Sequence, residues 1–143
     1  MLKAFAEAEA AAARGEVPVG AVIVDAHGNT IAKAGNQTLE LKDPTAHAEM
    51  LAIREAASNL NSERLIDCDL YVSLEPCAMC TAAISFARIR RVYFAAADAK
   101  MGAIENGPRF FSQATCHHAP EVYSGIGEVE AQAMLKSFFK SRR

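Results

Sequence analysis

The spacing of apolar residues along the chain alternates between a helical and an extended period. The first residues, up to about Arg14, mix alanines with charges as an amphipathic helix does, and the stretch at 15–20, GEVPVG, breaks that helix. Residues 21–36 contain two apolar runs around a His-Gly-Asn turn, a pattern typical of a β-hairpin. The chain is therefore expected to open with a helix followed by two paired strands.

After the hairpin, short buried strands and helices alternate. This order predicts an α/β domain in which helices flank a central mixed sheet, and a length of 143 residues favours one domain spanning 1–143. The expected elements are a helix from about Thr45, a strand at 69–74, a helix at 78–89, a strand at 90–97, an irregular segment at 98–120 and a helix over Glu128–Lys140.

The charge balance argues against a general nucleic-acid coat protein. The net charge is −2 and the pI about 6.1, whereas phosphate binding needs clustered cations. Two local basic clusters remain candidates for RNA contact, RIRR at 88–91 and KSFFKSRR at 136–143. A solvated strand edge explains the first cluster equally well.

The apolar runs are interrupted by charge well short of a membrane span, so no membrane association is expected. The N-terminal residues have no lipophilic core of the kind that a signal peptide carries. We therefore expect a cytoplasmic protein. In a reducing compartment its 4 cysteines favour metal or redox chemistry over a disulfide framework.

Four residues in two short motifs form the candidate reactive centre. His47 and Glu49 flank one alanine, and Cys77 and Cys80 follow about thirty residues later at a predicted helix start. Two thiolates and one imidazole fill three of the four tetrahedral positions of zinc, and a water in the fourth has a pKa of roughly 7. Residues two apart on a helix point in different directions, so Glu49 is expected to be a general acid/base.

Two other uses of the cysteine pair stay open. A lone CxxC at a strand–helix junction can be a redox pair, although Pro76 precedes the first cysteine and the chain contains no Trp. A purely structural zinc would need a fourth ligand and would leave Glu49 unexplained. The candidates for that fourth ligand are Cys68, Cys116, His117 and His118.

The remaining histidines and cysteines have plainer interpretations. His27 falls in the hairpin turn and is expected to be exposed, and Cys68 lies beside two aspartates as an inert thiol. The adjacent histidines of CHHAP, at 116–120, are typical of surface residues or loop contacts.

The motif pair HAE and PCAMC has the H-x-E…P-C-x-x-C form of the zinc-dependent nucleobase deaminases. The wider stretches GEVPVGAVIVD, AGNQT, DPTAHAEM, LYVSLEPCAMC, RIRRVYFAAADAKMGA and FFKSRR resemble the bacterial tRNA-specific adenosine deaminases, in the cytidine/deoxycytidylate deaminase superfamily. The resemblance covers Gly15 to Ala103 and the C-terminal helix. It departs from the family at 104–127, which looks longer than in many members and leaves loop-borne substrate contacts open.

The resemblance implies a three-layer α/β/α, cytidine-deaminase-like fold with a central mixed five-stranded sheet, and a homodimer. It implies one Zn²⁺ per subunit bound by His47, Cys77 and Cys80, with Glu49 moving protons. The expected reaction is hydrolytic deamination of the wobble adenosine of a tRNA anticodon stem-loop to inosine, with release of ammonia. Two alternatives stay open: deamination of free cytosine, guanine or a nucleoside such as cytidine at the same zinc centre, and a non-catalytic zinc-stabilised binding subunit.

The resemblance also assigns residues to the substrate, each with a plainer alternative. Val17 and Leu74 would be core residues in any such fold, and Asp98 could cap a turn. The implied contacts are Asn36 to the flipped base, Val17, Ala48 and Leu74 as base-pocket lining, Asp98 and Lys100 near the RNA backbone, and Phe139 near the anticodon loop.

Overall fold

The structure, a computed structural model, describes residues 1–142, and its centre is a five-stranded mixed sheet in the order β2-β1-β3-β4-β5. No helix among these residues is both long and apolar enough to cross a membrane. In chain order the elements are α1 (Leu2–Ala13), β1 (Gly20–Val24), β2 (Thr30–Gly35), α2 (Ala48–Leu60), β3 (Asp69–Leu74), α3 (Ala78–Phe86), β4 (Arg91–Ala96), a 3₁₀ turn (Phe110–Ser112), β5 (Glu121–Ser124) and α4 (Glu128–Lys140).

The predicted N-terminal helix and hairpin are confirmed. β1 pairs antiparallel with both β2 and β3, whereas β3, β4 and β5 run parallel. Asp25 fixes the hairpin turn because its carboxylate accepts hydrogen bonds from the backbone N–H groups of His27 and Asn29, both at 2.9 Å. Gly28 completes the turn with a φ of +81°.

Successive residues of the strands face opposite layers of helices, which confirms the three-layer α/β/α fold. Ala21 belongs to the main core, which also contains Ala52 of α2 and Ile84 of α3. Its neighbour Gly20 faces α1, where any Cβ would collide with the backbone of Ala4. Glycine at this position therefore lets α1 lie directly on the sheet.

Two helix boundaries differ from the predicted ones. α2 begins at Ala48 rather than about Thr45, because Asp43 accepts hydrogen bonds from the backbone N–H and hydroxyl of Thr45, at 2.8 and 2.7 Å. These bonds hold the preceding residues in a turn. α3 ends at Phe86, ahead of the predicted residue 89, where Arg88 takes a left-handed φ of +62° that terminates the helix.

The fifth strand is the element that residue patterning alone does not show. β5 extends the sheet beside β4, as the resemblance implied, but Val122 is its one residue that is not fully exposed. A four-residue strand without an apolar run carries no periodic pattern. The segment 98–120 is irregular as predicted, apart from the 3₁₀ turn.

The parallel pairing of β3 and β4 creates the edge at which the site lies. Leu74 pairs with Ala96, so the chain leaves both strands at the same end of the sheet. An isolated antiparallel bridge between Cys77 and Gly102 joins the two outgoing segments. Loops that follow neighbouring parallel strands are the usual place for a binding crevice in an α/β sheet.

Candidate active site

Two helix N-termini converge at this edge and bring the predicted metal ligands together. His47 is the N-cap of α2, Cys77 is the N-cap of α3, and Cys80 lies in the first turn of α3. His47 Nδ1 lies 3.6 Å from each sulfur. The partial positive charge of a helix N-terminus favours thiolate, so the position of the cysteines suits metal binding.

The geometry of the three donors fits a tetrahedral zinc ion. The Sγ and Nδ1 atoms all lie within 4.8 Å of one another. A tetrahedron with Zn–S near 2.3 Å and Zn–N near 2.0 Å has S···N edges of about 3.5 Å, which the observed 3.6 Å match. A soft Cys₂His set favours zinc among the common divalent metals.

The two cysteines among the candidates for a fourth protein ligand are engaged elsewhere. Among residues 1–142, the Cys68 thiol donates to the carbonyl of Ile66, and the Cys116 thiol donates to the carbonyl of His118. Burial raises the pKa of Cys68, as expected for an inert thiol. The three-residue donor set therefore leaves a tetrahedral position for a water or substrate atom, as in catalytic zinc sites.

The donors polarise one another. The hydrogen bond from the Cys80 thiol, supported by His47, lowers the pKa of Cys77 to about 4 despite its partial burial. The same bond and burial raise the pKa of Cys80, whereas the hydrogen bond to Cys77 outweighs burial and raises the pKa of His47. These shifts favour a thiolate at Cys77 and protonated Cys80 and His47, so zinc binding would release the protons of the latter two.

Glu49 lies in the first turn of α2 and lines a cavity of about 260 Å³ together with His47 and Cys77. Glu49 is 4 % exposed, and burial raises the pKa of its carboxyl above the usual range. A carboxyl with a raised pKa next to a metal site can both take up and release a proton. This placement is the one that a general acid/base needs, and the catalytic role of Glu49 stays a prediction.

The predicted substrate residues fall into three groups. Four of them line the same cavity as Glu49: Val17, Asn36, Leu74 and Asp98. Lys100 and Phe139 line an adjoining groove of about 600 Å³, which shares Val17, Leu74 and Asp98 with the cavity. Ala48 is different, since it is fully buried in the main core behind the site.

Asn36 is oriented by a buried carboxylate that the motif analysis missed. Glu16 is 1 % exposed and accepts hydrogen bonds from Asn36 Nδ2 at 3.4 Å and from the backbone N–H groups of Leu39 and Glu40 at 3.2 and 2.8 Å. Because the amide nitrogen of Asn36 is used in this way, its oxygen remains available as an acceptor.

Asp98 caps a turn, the simpler of its two expected roles, and also lines the cavity. Its carboxylate accepts hydrogen bonds from the backbone N–H groups of Lys100 and Met101, both at 3.0 Å, and so caps a turn. Met101 lines the cavity beside it. The turn thus fixes two side chains on one wall of the pocket.

Four cavity-lining residues were not singled out in the sequence: Val19, Thr38, Glu75 and Met101. Glu75 directly follows an apolar strand, where a buried acid is unusual, and its burial depends on partners 23 to 31 positions later in the chain. Val19, Thr38 and Met101 occur in stretches whose composition is typical of ordinary strands and loops, so no pattern distinguishes them.

The CHHAP segment is a loop contact, as expected. His118 Nε2 donates to the carbonyl of Ile89 at 2.7 Å, and Ser85 Oγ donates to the carbonyl of His118 at the same distance. These bonds fasten the segment to the C-terminal end of α3, whereas His117 and His27 are exposed. Among residues 1–142 the donor set of the metal site therefore comes from His47, Cys77 and Cys80 alone.

The first basic cluster is a structural feature of the opposite sheet end. Arg90 donates two hydrogen bonds to the Asp69 carboxylate, both at 2.9 Å, and Arg91 donates to Glu121 at 2.9 Å. Asp69 begins β3, and the cavity-lining Leu74 ends it five residues later, roughly 17 Å along the strand. The side chains of Arg90 and Arg91 therefore join neighbouring strands at the sheet end opposite to the cavity.

The comparisons agree with this site. Residues 1–96 match the family described as the cytidine and deoxycytidylate deaminase zinc-binding region, and the zinc prediction is confirmed by this match together with the donor geometry. The chain is 59% identical to a tRNA-specific adenosine deaminase of Agrobacterium fabrum over 140 residues, which are 98% of this chain and 91% of that protein.

A relative of the same name from Rickettsia bellii is 46% identical over 144 residues, covering 100% of this chain and 99% of that one. A solved structure from work on A-to-I editing by tRNA:A34 deaminases at the wobble position of transfer RNA superposes with a TM-score of 0.92 at 59% identity, covering 94% of this chain and 97% of the other. The chain therefore belongs to the cytidine and deoxycytidylate deaminase family and, within it, to the tRNA-specific adenosine deaminases.

Proposed function

We propose that this protein hydrolytically converts the wobble adenosine of a tRNA anticodon to inosine and releases ammonia. The observation that carries the proposal is one cavity that combines a zinc-type donor set with the buried carboxyl of Glu49 and opens into a groove reaching Phe139. The relatives named for the same reaction on tRNA cover nearly the whole chain.

His47, Cys77 and Cys80 are the proposed ligands of one zinc ion per subunit. Zinc at such a site acts as a Lewis acid that makes water nucleophilic at neutral pH. His47 and Cys77 are helix N-caps, so the positions of their side chains follow from the placement of α2 and α3. Ligands held by two helix starts need little rearrangement when the ion binds.

Glu49 is the proposed proton carrier. Its carboxylate would accept a proton from the attacking water, and its carboxyl would then donate one to the departing amino group. Burial raises its pKa above the usual range of a carboxyl, which makes proton uptake from water easier.

The walls of the cavity suit a flat base. Val17 and Leu74 present apolar side chains, and Asn36 offers its amide oxygen as a hydrogen-bond acceptor because Glu16 accepts from its nitrogen. A base that leaves its stack is recognised by such contacts to its faces and edges. We propose these three residues as base contacts.

The adjoining groove is the proposed path of the RNA strand. Lys100 supplies a cation and Phe139 an aromatic surface, and both face the same groove as the cavity mouth. Exposed aromatic rings stack on unpaired bases, and lysines pair with phosphates. The described part of the C-terminal cluster adds Lys136 and Lys140, which are exposed; Arg143 lies outside the described residues.

The free-nucleobase alternative receives less support from the placement of 104–127. That reading required this segment to close the pocket as a lid. The cavity walls come instead from residues at 17–19, 36–38, 47–49, 74–77 and 98–101. The CHHAP part of the segment is fastened to the far end of α3.

We also propose that the protein is a cytoplasmic homodimer. In support of dimerisation, the C-terminal end of α3 exposes Phe86 to 73 %, a large apolar side chain that a second copy would cover. In support of the location, the 4 cysteines are free, as expected in a reducing compartment. Phe86→Ser should shift the sedimentation of the protein from dimer to monomer.

Ammonia release from the zinc-loaded protein tests the proposed activity. The panel contains an anticodon stem-loop with a wobble adenosine, the same loop with a wobble guanosine, and free adenosine, cytidine, cytosine and guanine. Release from the adenosine loop alone is expected. Release from a free base with none from RNA would replace the proposal with nucleobase deamination, and no release from any substrate would leave a zinc-stabilised binding protein.

A further inference from the structure

Glu75 is a buried carboxylate between the cavity and the metal-binding turn, and it makes more hydrogen bonds than any role in the chemistry would require. It follows β3 directly and is 2 % exposed. Its Oε1 accepts from the Asp98 backbone at 2.9 Å and from the Asn106 side-chain amide at 2.7 Å. Its Oε2 accepts from the backbone N–H groups of Ile104, Glu105 and Asn106 at 3.0, 2.9 and 3.1 Å.

These bonds close the segment 98–106 into a loop around one carboxylate. Five N–H donors from Asp98, Ile104, Glu105 and Asn106 surround this carboxylate, an arrangement that suits an ionised acceptor. Hydrogen bonds to an ionised acceptor are roughly twice as strong as neutral ones.

Gly102 provides the space that this closure needs. A Cβ at Gly102 would overlap both the Glu75 carboxylate and the carbonyl oxygen of Asp98. The Gly102 N–H donates to that carbonyl at 2.9 Å. A side chain at this position would therefore push the carboxylate and the loop apart.

The loop held in this way carries one wall of the site. Asp98 and Met101 line the cavity, and Lys100 lines the groove beside it. We propose that Glu75 is a positioning residue for RNA substrate: it holds 98–106 in the conformation that binds the strand, while taking no part in the chemistry. This inference rests on the proposed RNA substrate and specifies how that substrate is recognised.

Loss of the Glu75 carboxylate should therefore change the binding of RNA rather than the turnover of bound RNA. A glutamine at position 75 would place an N–H₂ group against N–H donors and release part of the loop. Substrate would then bind the fraction of molecules whose loop is correctly placed, and the apparent affinity falls by that fraction. Once the RNA is bound the wall is in place, so the chemical step is unchanged.

The test compares Glu75→Gln with Glu105→Gln in the zinc-loaded protein, using the wobble-adenosine stem-loop. Glu105 is the matched control because it lies in the same loop, its side chain is exposed, and its bond to Glu75 comes from the backbone. For Glu75→Gln we expect KM to rise about tenfold, as for a loop correctly placed in a tenth of the molecules, with kcat within about threefold. Zinc content should stay at that of the wild type, and Glu105→Gln should match the wild type.

Two further variants approach the same contact without removing the carboxylate. Asn106→Ala deletes one donor, and Gly102→Ala displaces the loop, so both should raise KM in the same direction. If KM is unchanged in Glu75→Gln and Gly102→Ala, or if zinc content falls in step with activity, the positioning role is overturned. Absence of inosine with the wild-type protein would overturn the proposed function instead, and the positioning role with it.

Discussion

The two ends of strand β3 each have a buried acid, and the two acids are used differently. Asp69 begins the strand and pairs with the side chains of Arg90 and Arg91, at 2.9 and 3.9 Å. Glu75 follows the strand and is bound mainly by backbone N–H groups of the loop 98–106. The Asp69 carboxylate joins neighbouring strands through ion pairs, whereas the Glu75 carboxylate holds a loop that forms one wall of the cavity.

The difference shows how this fold separates stability from function. Ion pairs between strands at the Asp69 end need fixed side chains on regular elements. At the Glu75 end the cavity walls are loops, whose backbone N–H groups have no partners in a helix or a sheet. A buried carboxylate accepts hydrogen bonds from these N–H groups instead. Glu16 does the same for the segment 36–40, which carries the cavity-lining Asn36 and Thr38. Substitutions at the two ends should therefore change different measured quantities.

The largest change in kinetics is expected for a substitution of Glu49, which lines the same cavity as Glu75. Glu49→Gln keeps the shape of the side chain but removes its proton transfer, so kcat should fall by roughly 10²–10⁴-fold. Zinc content, measured by elemental analysis, should not change. Glu55→Gln, on the exposed side of the same helix, should behave as the wild type. Near-normal turnover in Glu49→Gln would remove the proton-carrier role.

A smaller effect is expected at Glu16, the second carboxylate that holds a wall. Glu16→Gln weakens the orientation of Asn36 and of the backbone at 38–40, so KM for the stem-loop should rise by about tenfold. Glu40→Gln makes the same chemical change at an exposed position of that wall and should leave steady-state kinetics unchanged. Equal kinetics for both variants would show that the wall needs no such anchor.

A substitution of Phe139 tests whether the groove next to the cavity binds RNA. It is 49 % exposed, so Phe139→Ala should keep the melting temperature while it weakens binding of the stem-loop by about fivefold, the lower limit for losing one stacked base. Val129→Ala truncates another exposed side chain on α4 and serves as the control in a fluorescence binding titration. Unchanged affinity in Phe139→Ala would place the RNA strand elsewhere.

The smallest kinetic effect is expected at the opposite sheet end. Asp69→Asn removes the negative charge and one of the two acceptor oxygens that Arg90 uses, without touching the cavity, so kcat and KM should stay at wild-type values. The free energy of unfolding should fall by about 1–3 kcal/mol, as measured by urea denaturation, because a half-buried charged bond is lost. A kinetic defect in Asp69→Asn as large as that in Glu75→Gln would abolish the contrast between the two ends.

Features that depend on residues close together along the chain could be predicted from the sequence. The hairpin, the four helices and the reactive set His47, Glu49, Cys77 and Cys80 depend on local period and short spacing. β5 could not be found from its residues, because it is stabilised by pairing with β4 rather than by an apolar pattern of its own. The five-stranded sheet was reached through the family resemblance.

The wall-holding acids also escaped prediction. Glu75 receives its hydrogen bonds from residues 23 to 31 positions later, and Glu16 from residues 20 to 24 positions later. Such contacts exist because the fold brings distant loops together, so local composition does not report them. The roles of Val17, Asn36, Leu74, Asp98, Lys100 and Phe139 toward substrate stay predictions, as does the single-domain organisation, and Ala48 lies in the core rather than on the cavity surface.

The most direct test of the central claim is to locate inosine in a reacted RNA. A stem-loop with adenosine at the wobble position and at other loop positions is incubated with the zinc-loaded protein and then sequenced for adenosine-to-guanosine readout. If the cavity and groove act together on tRNA, inosine appears at the wobble position and is absent when Glu49→Gln replaces the wild type. No inosine, or inosine spread over the loop adenosines, would contradict the account.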